Sequence, residues 1–217
     1  MKFGRIVGLG LALLGSAVAH AQFSVYGIYE ATRHTGVNCL DTRGCANGAG
    51  YNQNGSVNAT GGWGGVSYDW KQYGPAMIGF DVRAGESHGN KSGTANAGGH
   101  GSANAQNVLG GVKATFRTPI RVVKPYGQIS LGWSRSNITE PLKTYPTILN
   151  PTPPLRYDNF FVVQGFAGVD IRLAPVLDLR LVELSYGNMQ RMGGQGSSSV
   201  GLLSAGVGVV FHFPSPH

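Results

Sequence analysis

The connections between the strand-like segments of this chain constrain its fold more than any other feature. Eight stretches of roughly ten residues alternate apolar side chains with polar or small ones, which is the period of a β-strand with one buried face. The connections alternate as well, because the first, third, fifth and seventh are long and polar whereas the other three are short turns. The predicted strands cover residues 23–33, 62–71, 76–86, 106–117, 126–134, 160–173, 177–186 and 200–213.

This alternation predicts an up-and-down antiparallel sheet that closes into a barrel. Successive connections of such a sheet fall at opposite ends, so the long ones lie together at one end and the short ones at the other. Short periplasmic turns and long extracellular loops are typical of outer-membrane β-barrels. The predicted fold class is therefore all-β, an eight-stranded antiparallel up-and-down transmembrane β-barrel with both termini at the periplasmic, short-turn end.

Composition excludes several other classes of protein. Glycine accounts for 35 of the 217 residues and charged residues for only 27, so glycine is roughly twice as frequent and charge about half as frequent as in ordinary globular proteins. No apolar run of roughly 18 residues follows the N-terminus, which argues against a helical membrane span. Nine Tyr, nine Phe and three Trp provide more aromatic surface than a disordered chain carries.

The N-terminal segment has the features of a signal peptide. Lys2 and Arg5 make a basic start, residues 6–14 are apolar, and Ala19 and Ala21 are the small residues that a signal peptidase needs at the −3 and −1 positions. The predicted organisation is a signal peptide at 1–21, a barrel domain at 22–213 and a short tail at 214–217.

Removal of the signal peptide lowers the formal net charge from 17 − 10 = +7 to 15 − 10 = +5. The remaining charges are spread along the chain without a basic block. Nucleic-acid binding proteins carry a clustered basic patch, so we expect no nucleic-acid partner.

The only two cysteines, Cys39 and Cys45, lie in the first long connection. An exported chain meets an oxidising compartment, which favours a disulfide between them. The alternative is a metal site. It lacks support because His34 stands alone nearby, without the paired His or Cys of a zinc site.

One face of each predicted strand is nearly free of charge. In the third strand, for example, Phe80 and Val82 share one face whereas Asp81 and Arg83 share the other. In the seventh strand the alternation slips at residues 181–182, which predicts a β-bulge. The charged side chains predicted to point into the barrel are Glu30, Asp69, Lys71, Asp81, Arg83, Lys113, Arg117, Asp170, Arg172, Asp178, Arg180 and Glu183.

These twelve side chains comprise six acids and six bases. Both signs of charge in a narrow lumen indicate a salt-bridged plug rather than a catalytic site, because an unpaired buried charge is costly. An eight-stranded barrel encloses an interior that side chains just fill. A wide pore is therefore not expected.

Periodicity leaves open which face points outward. A soluble carrier of the lipocalin type turns its apolar face inward, whereas a membrane barrel turns it toward lipid. Scarce charge, a polar face rich in Gly and Ser, and aromatic residues near the strand ends all favour lipid. Two aromatic girdles are predicted: Phe23, Trp70, Phe116 and Phe213 at the short-turn end, and Trp63, Trp133, Phe161 and Tyr186 toward the long loops.

The last strand, residues 204–213, resembles the C-terminal signature of bacterial outer-membrane β-barrel proteins, in which alternating hydrophobic residues end in an aromatic one. Residues 168–173 and 179–181 are similar to the small eight-stranded OmpA/opacity-type barrels. The resemblance implies partners: outer-membrane lipid, periplasmic chaperones and the barrel-assembly machinery, with an assembly signal at Val207, Val209, Phe211 and Phe213. The sequence departs from the family where residues 214–217 follow the final aromatic residue.

We interpret the chain as a small structural or surface-interaction barrel of the outer membrane, not an enzyme, whose loops meet an unidentified extracellular partner. His88, His100 and His212 show neither ligand spacing nor visible pairing with a Ser or Asp nucleophile, so no catalytic residue, metal site or cofactor is predicted. Two alternatives stay open. One is a barrel enzyme acting on a lipid or envelope substrate, and the other is a soluble exported β-barrel carrying a small apolar ligand.

Overall fold

Eight antiparallel strands, each hydrogen-bonded to the next and the last to the first, close into a barrel in the computed structural model. The structure describes residues 22–37, 55–92, 100–120, 122–138, 157–192 and 199–213. The eight-stranded up-and-down barrel predicted from the sequence is confirmed. The strands are β1 Gln22–Val37, β2 Gly55–Tyr73, β3 Ala76–Ser92, β4 His100–Phe116, β5 Val123–Ser136, β6 Asp158–Ala174, β7 Leu177–Arg191 and β8 Ser199–His212.

Several sequence predictions fall on other parts of the chain. The signal peptide at 1–21, the cysteines Cys39 and Cys45, and the tail at 214–217 lie outside the described residues. Within the described residues, no helix is long and apolar enough to cross a membrane.

The strands extend further toward the long connections than the sequence predicted. Most of residues 87–104, a Gly-, Ala-, Asn- and Ser-rich part of the third predicted connection, belong to β3 and β4, so the predicted end of the third strand and start of the fourth were wrong. Backbone hydrogen bonds join the two strands here, as at Gly89 opposite Ala103. The small side chains suit the interior, where Ser87 and Ala103 are buried. Low complexity therefore reflects a crowded lumen at this place.

The strands are strongly staggered around the barrel. A row of hydrogen-bonded neighbours that begins at Ser24 returns to β1 at His34, which is 34 − 24 = 10 residues further along the strand. Between these ends the row passes through Ser67, Asp81, Gly111, Ser130, Gln164, Gly187 and Leu202. A closed barrel needs such a stagger, and with eight strands the interior holds side chains rather than a channel.

The charge-poor face of the strands is the outer one. In β5, Ile129 and Leu131 leave 69% and 51% of their surface exposed, whereas Ser130 between them is completely buried. The alternative of a soluble carrier with its apolar face inward is therefore wrong. The four residues of the predicted assembly signal also lie exposed on this outer face: Val207, Val209, Phe211 and Phe213.

The prediction was wrong for one residue of the two aromatic girdles. Trp63 of β2 points into the barrel and is 5% exposed, because it follows the phase of Ser67 and not that of the outward Val66. Trp133, Phe161 and Tyr186 do lie exposed on the outer face.

Candidate functional site

Arg83 of β3 occupies the centre of the lumen and joins three strands. Its Nε donates to Asp81 Oδ1 at 3.1 Å, its Nη1 to Glu183 Oε1 at 2.8 Å, and its Nη2 to Gln128 Oε1 at 2.9 Å. The guanidinium carbon also lies 4.0 Å from the centroid of the Phe166 ring. Arg83 is 1% exposed, so its charge is balanced by carboxylates rather than by water.

A second arginine, Arg180 of β7, shares the same carboxylate. It makes a two-pronged contact with Asp170, Nε to Oδ1 at 2.9 Å and Nη2 to Oδ2 at 3.1 Å, and its Nη1 donates to Glu183 Oε2 at 3.0 Å. Tyr126 also donates to Glu183. Glu183 therefore connects both arginines, and the lumen network consists of Asp81, Arg83, Asp170, Arg180 and Glu183.

The predicted bulge of β7 builds this network. Residues three apart on a regular strand point to opposite faces, yet Arg180 and Glu183 both point inward. The pairing of β7 with β8 shifts register between these two residues, which confirms the bulge at 181–182. The extra residue returns Glu183 to the lumen, where it meets both arginines.

Glu30 of β1 is buried without a basic partner among the described residues. Its two carboxylate oxygens accept hydrogen bonds from Thr32 at 2.9 Å and Ser204 at 3.0 Å. The chain of polar contacts continues from Ser204 to Ser185 and then to Gln164. The hydroxyl groups of Thr32 and Ser204 and the indole of Trp63, and not the predicted cations, therefore satisfy this acid.

Near the short turns, Asp178 of β7 joins Lys124 of β5 to His212 of β8, and His212 extends the contact to Ser24 of β1. Asp178 Oδ2 lies 2.6 Å from Lys124 Nζ and 2.7 Å from His212 Nε2, while His212 Nδ1 lies 2.8 Å from Ser24 Oγ. The sequence indicated no pairing of His212 with a Ser or Asp, and that interpretation was wrong. Ser24 and His212 are register partners across β1 and β8, a proximity that closure of the barrel creates.

Three of the twelve predicted lumen charges are exposed. Lys71 misses the lumen because the register of β2 shifts between Asp69 and Lys71, which places Lys71 opposite Ile78 of the outer face. Arg117 follows the last residue of β4, and Arg172 lies three residues before Pro175, where the turn between β6 and β7 begins. The last two line the opening at the short-turn end and take no part in the lumen network.

Toward the long connections the interior holds a cluster of apolar side chains beside buried polar ones such as His34 and Ser134, a feature that the sequence analysis missed. The signal was present, since Phe160, Phe161, Val162 and Val163 are apolar on both faces of β6. This loop-side core closes the lumen above the network. Its members include Val57, Leu109, Phe160, Val162, Met189, Val200 and Leu202.

Inward glycines make room for aromatic rings on the adjacent strands. A Cβ atom at Gly65 would fall inside contact distance of the Tyr26 ring, and one at Gly168 would do the same with the Tyr126 ring. These rings lie under the arginines, with the Arg180 guanidinium 4.9 Å and 4.5 Å from the two centroids. These two glycines therefore serve lumen packing.

This packing leads to a first prediction. Gly65→Ala is expected to destabilise the barrel by about 1–3 kcal/mol, because overpacking displaces Tyr26, whose hydroxyl donates to Asp81 of the lumen network. Gly64→Ala is the matched control, since a Cβ there meets nothing nearer than 4.0 Å. Denaturant titration of the two refolded variants measures the difference. Equal midpoints would show that Tyr26 can move without loss.

The lumen network has a structural role, because its charged side chains pair with one another. Among the residues that the structure describes, no group of three or more His, Cys, Asp or Glu side chains could hold a metal ion. A filled polar lumen inside an apolar outer wall defines a transmembrane barrel without a wide channel.

The chain has the fold of the small eight-stranded outer-membrane barrels. The structure is similar to Neisserial surface protein A, with a TM-score of 0.54 and 13% identity over 88% of this chain and 97% of that one. It is also similar to Ail, the attachment invasion locus protein of Yersinia pestis, solved with the heparin analogue sucrose octasulfate; the TM-score is 0.52 and the identity 12%, over 89% of this chain and 99% of that one. No family model matches the sequence, and no curated protein matches it.

Proposed function

We propose that this chain is an outer-membrane anchor that holds four long connecting segments at the cell surface, where they serve a structural or interaction role. One observation carries the proposal: an apolar outer wall surrounds a lumen that is filled by the charge network and the loop-side core. The charge network and the loop-side core block the passage of a solute through the barrel, so the connecting segments are the parts that meet partners. Both termini then lie in the periplasm.

The proposal extends to biogenesis, for which the resemblance of β8 to the C-terminal signature of outer-membrane barrels is the support. The chain reaches the membrane with periplasmic chaperones, and the barrel-assembly machinery recognises β8 through its outward Val207, Val209, Phe211 and Phe213. These side chains lie on the face that later contacts lipid.

Accessibility of an epitope on whole cells tests the proposal. An epitope placed in the 139–156 connection is expected to bind antibody on intact cells. The same epitope placed in the turn between β6 and β7 should bind only after permeabilisation. Both variants should fractionate with the outer membrane and keep the heat-dependent gel mobility of a folded barrel. Antibody binding to the turn on intact cells would show that the barrel has the opposite orientation in the membrane.

A second prediction concerns conductance. Planar-bilayer recordings of the purified barrel are expected to show no steady open state, because Arg83 connects β3, β5 and β7 across the lumen and the loop-side core lies above it. Protein-free detergent at the same dilution is the control. Large and reproducible conductance at neutral pH would contradict both the filled lumen and the proposed role.

The enzyme alternative has one specific observation in its favour, the contact of His212 with both Ser24 and Asp178. Asp178 fixes the tautomer that leaves a His212 nitrogen free to accept the serine proton, as in serine hydrolases. Lys124 already neutralises Asp178, however, and Ser24 is 3% exposed. We expect no labelling of the barrel by a fluorophosphonate probe. Labelling that Ser24→Ala abolishes would favour a hydrolase.

A further inference from the structure

A groove of about 650 Å³ crosses the outer wall of the barrel on strands β7, β8, β1, β2 and β3. One row of register partners runs along it: Leu184, Ala205, Ala31, Thr60 and His88. All five side chains are exposed on the outer face. Four spacings of about 4.8 Å between neighbouring strands make this row about 19 Å long. An acyl chain that spans one leaflet of the hydrocarbon core, about 15 Å thick, fits this length.

The middle of the groove is a depression between larger side chains. Its floor contains Ala31 and Ala205, which are register partners on β1 and β8. Leu203 stands on the side of the long connections and Tyr29 on the side of the short turns, and both are more than half exposed. Because this wall faces hydrocarbon, the depression opens toward the membrane and not toward water.

Arg33 lies at the end of the groove that is nearer the long connections, opposite the lining residues Leu203 and Asn58. It is exposed, and its Nη2 donates to Ser56 Oγ at 3.4 Å. The described outward residues of its own strand and of the two adjacent strands, β2 and β8, include no acid. Arg33 makes no ion pair within the part of the chain that the structure describes. Its positive charge therefore stays available to an anion.

The outward acid of β3, Glu86, already has partners. Its Oε1 lies 3.5 Å from His88 Nε2 and accepts a hydrogen bond from Gln106 at 3.4 Å. In the register Glu86 falls in the row of Tyr29, two strands away and 33 − 29 = 4 residues before Arg33. Glu86 is therefore not the counter-charge of Arg33.

We propose that this groove holds one acyl chain of a phosphate-bearing lipid of the outer leaflet, and that the phosphate of this lipid binds Arg33. The occupant comes from the membrane because the groove opens into hydrocarbon. A guanidinium selects phosphate, with which it forms two parallel charge-assisted hydrogen bonds. Asn58 and Thr60 line the same end of the groove and offer an amide and a hydroxyl to the headgroup. The proposal rests on the proposed orientation, which places the long connections at the cell surface.

Native mass spectrometry of the refolded barrel in detergent tests the groove. Titration with lipid A that carries two phosphates is expected to show saturable retention of one lipid per barrel. Lipid A with one phosphate should bind more weakly. Arg33→Gln should weaken the affinity for the two-phosphate form by about tenfold or more, the loss expected when a charged hydrogen-bonding group is removed. Because Arg33 is exposed on the outer face, this change leaves the lumen packing intact.

A second variant, Ala205→Leu, fills the floor of the groove. It should also weaken the retention of lipid A, because the larger side chain takes the space of the acyl chain. Two matched controls lie outside the groove: Arg135→Gln removes an exposed arginine of β5, and Ala84→Leu enlarges an exposed alanine of β3. Both controls should bind lipid A like the parent. The heat-dependent gel mobility checks that all four variants fold.

Three results would overturn the proposal. The first is the absence of saturable lipid A retention by the parent barrel. The second is equal weakening by Arg33→Gln and Arg135→Gln, which would leave only a general attraction between a basic barrel and phosphate. The third is a dimer of the barrel that Ala205→Leu dissociates, which would assign the groove to a second copy of the chain.

Failure of the groove can be told apart from failure of the proposed surface role. The titration in detergent does not depend on which end of the barrel faces the outside of the cell. The epitope measurement on whole cells reports that orientation and does not depend on the groove.

Discussion

Arg83→Met is expected to destabilise the barrel by about 3–5 kcal/mol, the usual cost of removing one partner from a buried ion pair. The methionine fills part of the space but donates no hydrogen bond. Asp81 and Gln128 would each lose a contact, and Glu183 would retain only Arg180 and Tyr126. Urea titration of protein refolded into lipid vesicles measures the change in the free energy of unfolding.

Two further variants test whether the loss of stability comes from the unbalanced charge in the lumen. Arg83→Met combined with Glu183→Gln should recover part of the stability, because the second change removes the carboxylate that the first leaves underbalanced. Lys71→Met removes the same type of charge at an exposed position and should leave the stability unchanged. An Arg83→Met barrel as stable as the parent would show that water enters the lumen and replaces the guanidinium.

The architecture was readable from the sequence because it depends on two strong periodic signals. Alternation with a period of two identifies strands, and the order of long and short connections determines how they are arranged. The same alternation located the bulge of β7, since a slip of one residue moves every later side chain to the other face. Most of the inward charges could therefore be named by number.

The exceptions arise where local pattern carries no information about partners. The register shift before Lys71 occurs at a strand end, where no later alternation in β2 reveals it. Ser24 and His212 are 188 residues apart, and only barrel closure brings them together. The loop-side core was missed because apolar residues on both faces of β6 conceal the inward set among the outward one.

Leu131→Arg is expected to cost about 2–4 kcal/mol of stability in lipid vesicles, the range for a basic residue near the bilayer midplane of a β-barrel. Leu131 lies outward on β5 between Gly110 and Val163 of the adjacent strands, with 51% of its surface exposed. The arginine would therefore meet hydrocarbon, because the inward neighbours that bind charge belong to the other face. Urea titration again gives the free energy of unfolding.

Gln190→Arg is the matched control, because Gln190 is exposed on β7 at its long-connection end, near the aqueous interface, where the expected cost falls to roughly 0–1 kcal/mol. Ser130→Arg is not a suitable control, since Ser130 is completely buried and any large side chain there would overfill the lumen. The comparison between Leu131→Arg and Gln190→Arg isolates depth in the bilayer, because both changes add one outward arginine. Equal stability of the two variants would mean that the outer wall at Leu131 faces water, and the membrane assignment of this barrel would fail.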